Sequence, residues 1–317
     1  MSGHGARIDV HHHAILPAIQ RLMRERGAPF TLPWSLDETW DVLATNDIDF
    51  ALISNPIPGG FFDDASQAAA FNRSANEAVA EFVAEYPDRF GLLAALPMPY
   101  VDAALAEVEY AYTELKADGV VLIAHAGDSY LGDPLYDPLF AELNRRRSVV
   151  LVHPMVLPGG TAANVPPVLA DFLLDTTRGA INLVLAGALD RYPDISFVLA
   201  HGGGFLPYAA SRVEALGAAF YGLERGRVAD ALGRFYYDVA LTAWSGLPSL
   251  LRAVSSDRIL FGTDWCAAPA DVVSTGVRNL DDGLSGLTDS IRADINRGNA
   301  LRLFPGVAER LASRVTT

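Results

Sequence analysis

The sequence predicts a (β/α)8 TIM barrel, built as a single domain over residues 1–317. Three observations predict it. Eight short apolar, β-branched runs recur along the chain. They are continuous rather than alternating, the pattern of parallel strands covered on both faces. Helical stretches fill the intervals between them, as a barrel of βα units requires. An open doubly wound sheet would more usually show about five to seven strands and a glycine-rich first turn.

In chain order the strands are expected at "RIDVHHH" (7–13), "DFALIS" (49–54), "FGLLAALP" (90–97) and "GVVLIAH" (119–125). The second half supplies "SVVLVHP" (148–154), "ISFVLAH" (195–201), "FYYDVAL" (235–241) and "RILFGTD" (258–264). The helix at "SLDETWDVLATND" (35–47) opens with a capping box of Ser35 and Glu38. Three more helices are expected at 65–86, 101–119 and 133–147, each running into a turn or basic signal. Residues 14–34 make a longer connection than a barrel needs after its first strand, an extended loop insertion of the kind used as a lid or pocket wall. No linker, low-complexity segment or repeat divides the chain.

Composition removes several function classes. A net charge of −14 argues against nucleic acid, since phosphate binding needs a basic face; the acidic surface reads as a solubility device. The one cysteine, Cys266, allows no intramolecular disulfide and reads as a buried packing residue. No run resembles a signal peptide or is long and apolar enough for a membrane helix. A soluble, cytoplasmic protein is expected. The only lysine, Lys116, falls on the polar end of a predicted helix. Schiff-base chemistry and a carbamylated-lysine bridge between two metals are therefore excluded.

The active face of a barrel is the C-terminal end of its strands. At that end strand 1 carries His11, His12 and His13, strand 5 His153, strand 6 His201 and strand 8 Asp264. Side chains alternate across a strand, so His11 and His13 share one face and His12 takes the other. Two imidazoles spaced in this way can bind one metal, while His12 packs outward or bonds locally. Imidazole nitrogen with carboxylate oxygen suits zinc, and also manganese or iron. The triplet ends an apolar strand, which is no context for an affinity tag.

The glycines of "HGGG" (201–204) would let the backbone approach a metal-bound ligand closely. The same letters occur in lipase oxyanion motifs, but the G-x-S-x-G elbow is absent. A dinucleotide G-x-G-x-x-G fails because Pro207 stands where the last glycine belongs. Phe30, Trp34, Tyr130 and Phe205 are available to stack on an aromatic ring.

Together "IDVHHH", "LVHP", "LAHGGGFLPY" and "ILFGTDW" resemble the amidohydrolase superfamily. The resemblance is to its branch of aminocarboxymuconate-semialdehyde decarboxylase and related aromatic-acid decarboxylases. It runs from the first strand to "NRGNALRLFPG" (296–306). It implies that His11, His13, His153 and Asp264 hold one divalent ion, zinc first and manganese second. It also implies that His201 and Asp264 are catalytic. Strand 4 ends in Ala124-His125 where binuclear relatives place a carbamylated lysine, so the single-metal subtype fits. His125 either touches substrate or caps the following loop, and Arg212 is the candidate to grip a substrate carboxylate. A homodimer is implied as well.

The "YLGDP" loop (130–134) and "LVHP" look most like the branch that includes 6-methylsalicylate decarboxylases. The expected reaction is metal-dependent, non-oxidative decarboxylation of a small hydroxybenzoate-type or enoic acid. The alternative is a hydrolase or hydratase acting on a lactone or an unsaturated dicarboxylic acid.

Overall fold

The protein was analysed as a computed structural model, which describes residues 6–27, 32–57, 62, 64–160, 164–282 and 287–313. Its strands are β1 (Arg7–His12), β2 (Ile48–Ser54), β3 (Phe90–Ala95), β4 (Gly119–Ile123), β5 (His125–Ala126) and β6 (Ser129–Tyr130). They continue as β7 (Val149–His153), β8 (Ser196–Leu199), β9 (Tyr236–Asp238) and β10 (Ile259–Leu260). Eight of them form one sheet in the order β1-β2-β3-β4-β7-β8-β9-β10, every neighbouring pair parallel. The sheet curls back on itself: the Val10 N–H donates to the Phe261 carbonyl at 3.0 Å and the Asp264 N–H to the His11 carbonyl at 2.8 Å. This is the (β/α)8 TIM barrel. The remaining two strands, β5 and β6, form a small antiparallel hairpin just above β4.

The apolar runs are continuous because each strand buries both faces. Ile8, Val10, Phe50, Leu52, Val121 and Leu151 belong to one buried cluster, which the C-terminal segment joins through Phe304, Val307 and Leu311. Alternate residues such as Ala51, Ile53, Val120 and Leu122 pack outward with the helices. The predicted strands overshoot the observed ladders at the active-face end. His13, His125, His201 and Asp264 all lie just past the last ladder residue of their strands. The physical reason is the turn: His201 and Asp264 take left-handed backbone angles, φ 55° and 63°, which no strand can continue.

The helices named below are α1 (Pro17–Glu25), α2 (Leu36–Thr45), α3 (Ala65–Glu85), α4 (Val101–Thr113), α5 (Asp137–Arg145), α6 (Asp171–Leu185), α7 (Ala188–Arg191) and α8 (Leu206–Phe220). The expected loop insertion after β1 contains a helix instead: α1 starts at Pro17, whose ring pre-sets the first helical residue. Phe30 lies outside the described residues. Ser35 caps α2 as expected, with the Glu38 N–H donating to Ser35 Oγ at 3.2 Å, while the Ser35 hydroxyl, not its backbone N–H, donates to Glu38 Oε2 at 3.1 Å. Lys116 is exposed beyond the end of α4. Among the described residues no helix is long and apolar enough to cross a membrane.

Candidate metal centre

Three histidines reach the mouth of the barrel with one ring nitrogen already committed. His11 Nδ1 lies 2.9 Å from Asp238 Oδ2, His13 Nδ1 2.5 Å from the Ser54 carbonyl and His153 Nδ1 2.7 Å from the Pro154 carbonyl. Each acceptor takes an Nδ1–H, which fixes the tautomer and leaves Nε2 with its lone pair. Asp264 Oδ1 stands 3.0 Å from His13 Nε2 and 3.3 Å from His11 Nε2. One ligand atom from each of His11, His13, His153 and Asp264 falls within 4.8 Å of all the others. His11 Nε2 is buried and lacks an aligned hydrogen bond, an orphan that a metal ion satisfies. Three neutral imidazoles and one carboxylate make a donor set for a single divalent ion.

The electrostatics agree. Burial, the largest single influence, would lower the His11 pKa, but the Asp238 and Asp264 carboxylates together outweigh it and push the value up to about 10. Burial alone would raise the Asp264 carboxyl, yet the His11, His13 and His201 imidazoles hold it well below the usual range. Burial, reinforced by His13 and His11, drives His153 well below the ordinary imidazole value, so it stays neutral.

His201 comes from the turn after β8 and places Nε2 3.3 Å from Asp264 Oδ2, the carboxylate oxygen other than the one shared by His11 and His13. Its Nδ1 is buried without a partner. Asp238, absent from the sequence-level expectations, ties these parts together. Its Oδ2 accepts from His11, and its Oδ1 accepts the backbone N–H groups of His201 and Ala240, both at 3.0 Å. The available signal was a lone carboxylate inside the apolar run "FYYDVAL". His12 bonds locally, with Nδ1 2.9 Å from Asp9 Oδ2, and is fully buried. Cys266 is buried and free.

Two of the three glycines after His201 are required by packing. A Cβ on Gly204 would stand 2.1 Å from the Leu173 carbonyl oxygen of α6, and one on Gly203 would stand 2.8 Å from the Tyr237 ring. Both residues also have positive φ. The tight turn seats His201 between α6 and β9.

His153, His201 and Asp264 form one end of a cavity of about 410 Å³. Its walls are mostly apolar, with the Thr242 hydroxyl as a polar exception and no arginine or lysine among the described lining residues. Neither of the predicted substrate-binding residues lines it. Arg212 is exposed on α8. His125 holds Asp175 Oδ1 at 2.8 Å, while Asp175 Oδ2 accepts the Met155 N–H at 2.9 Å. That pair braces the β5–β6 hairpin against α6, with the Tyr130 ring 5.3 Å from the imidazole. Trp34 packs on Phe82, and Phe205 is exposed.

The Amidohydrolase family model matches residues 8–306. A 6-methylsalicylic acid decarboxylase from Penicillium expansum is 34% identical over 314 residues, covering 95% of this chain and 96% of that one. A crystal structure of an amidohydrolase II protein superposes with a TM-score of 0.86 at 26% identity, covering 95% of this chain and all of the other. A dihydroxybenzoic acid decarboxylase from Polaromonas sp. JS666, solved with bound manganese and the inhibitor 2-nitroresorcinol, superposes at 0.81 with 24% identity over 95% of this chain and 97% of that chain. That last likeness is one of fold. With its family model spanning nearly the whole barrel, the chain belongs to the amidohydrolase family.

Proposed function

We propose that the protein is a metal-dependent carboxy-lyase, one barrel domain that removes CO2 without oxidation from a small salicylate-type acid. The observation that carries this is the arrangement around Asp264. One of its oxygens faces His11 and His13, the other faces His201, and both open onto a cavity with apolar walls. The similarity to the 6-methylsalicylic acid decarboxylase supports the substrate class.

His11, His13, His153 and Asp264 would hold the ion. Zinc suits this four-ligand set first, manganese second. When bound, the ion supplies a fixed positive charge for a carboxylate and its ortho oxygen. The chain's own residues do the rest. His201 Nε2 and Asp264 Oδ2 lie 3.3 Å apart, and one of the two delivers a proton to the ring carbon that bears the carboxylate. Protonation there suspends aromaticity. The C–CO2 bond then breaks, its electron pair returns to the ring, and CO2 leaves. Apolar walls keep water from competing for the proton.

Arg212 is proposed to serve a neighbouring subunit. It is exposed on the same helix as the exposed Tyr208, Leu216 and Phe220, a surface that suits a homodimer.

The test is CO2 release from 6-methylsalicylate and 2,6-dihydroxybenzoate by metal-loaded protein, with ion content measured by elemental analysis. One ion per chain and CO2 from either acid are expected. Asp264→Asn and His201→Asn should each lose about a hundredfold or more in kcat. Loss of a lactone's or enoic dicarboxylate's ultraviolet absorbance, with no CO2 from any aromatic acid, would replace this reading with a hydrolase or hydratase.

A further inference from the structure

His125 and Asp175 belong to neither the cavity lining nor the candidate ligand group, yet a continuous hydrogen-bond path leads from them to one of those ligands. The His125 Nδ1–H donates to Asp175 Oδ1 at 2.8 Å, and Asp175 Oδ2 accepts the Met155 N–H at 2.9 Å. That N–H belongs to the same peptide group as the Pro154 carbonyl, which accepts from His153 Nδ1 at 2.7 Å. A single peptide unit thus joins a buried carboxylate to a ring whose other nitrogen is left for the candidate ion.

Two features make this path more than a brace. The first is direction. The Pro154 ring fixes its φ, so rotation about one bond, Cα–C, aims the carbonyl at His153. The Asp175 contact on the next N–H fixes that rotation. The second feature is charge. Asp175 is fully buried, and a carboxylate is costly to strip of water. Pinning a strand end does not need one. Asn76 holds both Ala95 backbone groups at the end of β3 with a neutral amide, and Asn55 holds both groups of Ala14, just past His13, in the same way. A carboxylate on a peptide N–H draws electron density onto the carbonyl oxygen, because hydrogen bonds in series polarise one another. That oxygen then pulls harder on the His153 Nδ1 proton, and the opposite ring nitrogen becomes a stronger ligand.

We propose that Asp175 is a positioning residue for the metal centre, acting on His153 through the Pro154–Met155 peptide, with His125 holding the carboxylate in place. His11 has its carboxylate, Asp238, in direct contact; His153 has one at a peptide's remove. The β5–β6 hairpin, which starts at His125, is thereby tied to the ion without reaching it. The inference rests on the metal-centre reading and is independent of the substrate.

The experiment titrates the metal-free full chain with zinc against a chromophoric chelator. Proton spectra of the cobalt-loaded protein accompany it, since the Nδ1–H signals of ligating histidines are displaced there well outside the ordinary range. Asp175→Asn keeps an acceptor for the Met155 N–H and removes the charge. Zinc affinity should fall about tenfold, the low end for a residue that supports a ligand. One of the three imidazole N–H signals should move, and not the one that Asp238→Asn moves. His125→Asn retains a donor to Asp175 and should bind zinc within about twofold of the unaltered chain, whereas His125→Leu should lose about threefold to tenfold. Should circular dichroism show Asp175→Asn unfolded, the two His125 variants decide the matter by themselves.

Unchanged zinc affinity in a folded Asp175→Asn overturns the inference. So does a loss in which all three signals move together, the mark of a site that has merely loosened. His125→Leu binding zinc as tightly as His125→Asn overturns it as well. An unaltered chain that binds neither zinc nor cobalt sinks the metal-centre reading and the inference with it, a result distinct from the others. Turnover is not read, so the decarboxylase reading stands or falls separately.

Discussion

Asp238 shows how much of this site is set by a residue outside the candidate ligand group. Its two oxygens hold the His11 ring and the backbone of His201, so one carboxylate orients a candidate ligand and the turn that carries His201 together. Asp238→Asn would present an amide to His11 Nδ1 and lose the charge, and we expect metal affinity to fall about tenfold to a hundredfold. Competition against a chromophoric chelator measures it; an unchanged dissociation constant would reduce Asp238 to a packing residue. His11 carries a second expectation. Its pKa in the metal-free fold is raised to about 10, so near pH 8 it still holds a proton that an incoming ion must displace. Calorimetry in two buffers of different ionisation enthalpy should then show about one proton released per ion, and affinity rising about tenfold per pH unit below pH 10. The sign for stability is opposite. A raised folded-state pKa stabilises the metal-free protein fully below the unfolded value near 6.5, and that contribution is lost as pH rises through about 10.

At the scale of elements, helices are pinned to strand ends by buried polar side chains that periodicity does not reveal. Asn76 of α3 accepts the Ala95 N–H at 2.9 Å, donates to the Ala95 carbonyl at 2.9 Å, and donates to Glu107 of α4 at 2.8 Å. It joins two helices to the end of β3 without exposure to water. Asn76→Ala strands both Ala95 backbone groups and should cost about 2–4 kcal/mol, read from the urea midpoint at constant m-value. A cost under about 1 kcal/mol would show that water replaces the side chain. The same contrast explains what was legible beforehand. The strands and their order could be read because burial on both faces writes a continuous apolar run, and the candidate metal ligands because histidine and aspartate stood at the ends of those runs. The β5–β6 hairpin could not, since two-residue strands carry no period. Asp238 and Asp175 also stayed hidden; a carboxylate becomes meaningful only when tertiary folding brings its histidine alongside. Arg212 was legible as an arginine, but its exposed place on α8 depends on helix orientation, which the sequence pattern leaves open.

For the whole molecule, the decisive seam is where the barrel closes, because the first and last strands and the turns that follow them supply three of the four candidate ligands. Asp9 of β1 lies on that seam. It accepts from the Thr263 N–H at 3.0 Å, the Thr263 hydroxyl at 2.6 Å and the His11 N–H at 3.1 Å, and it bonds His12 Nδ1 at 2.9 Å. Thr263 immediately precedes Asp264, and the Asp264 N–H in turn donates to the His11 carbonyl. Closure of the barrel and assembly of the site are therefore one event, joining residues 254 positions apart in the chain. Asp9→Ala leaves Thr263 and the His12 imidazole unpaired in the interior and should destabilise the metal-free protein by about 3 kcal/mol. An ion that binds only the closed seam adds back about 2.7 kcal/mol when present at about a hundredfold excess over its dissociation constant. The variant should thus unfold early without metal and recover much of its melting temperature with it, and a chelator should reverse the recovery. Asp9→Ala metal affinity equal to that of the unaltered chain, measured directly under folded conditions, would mean that the four candidate ligands assemble independently of the seam, and that closure and ion binding are separate properties of this barrel.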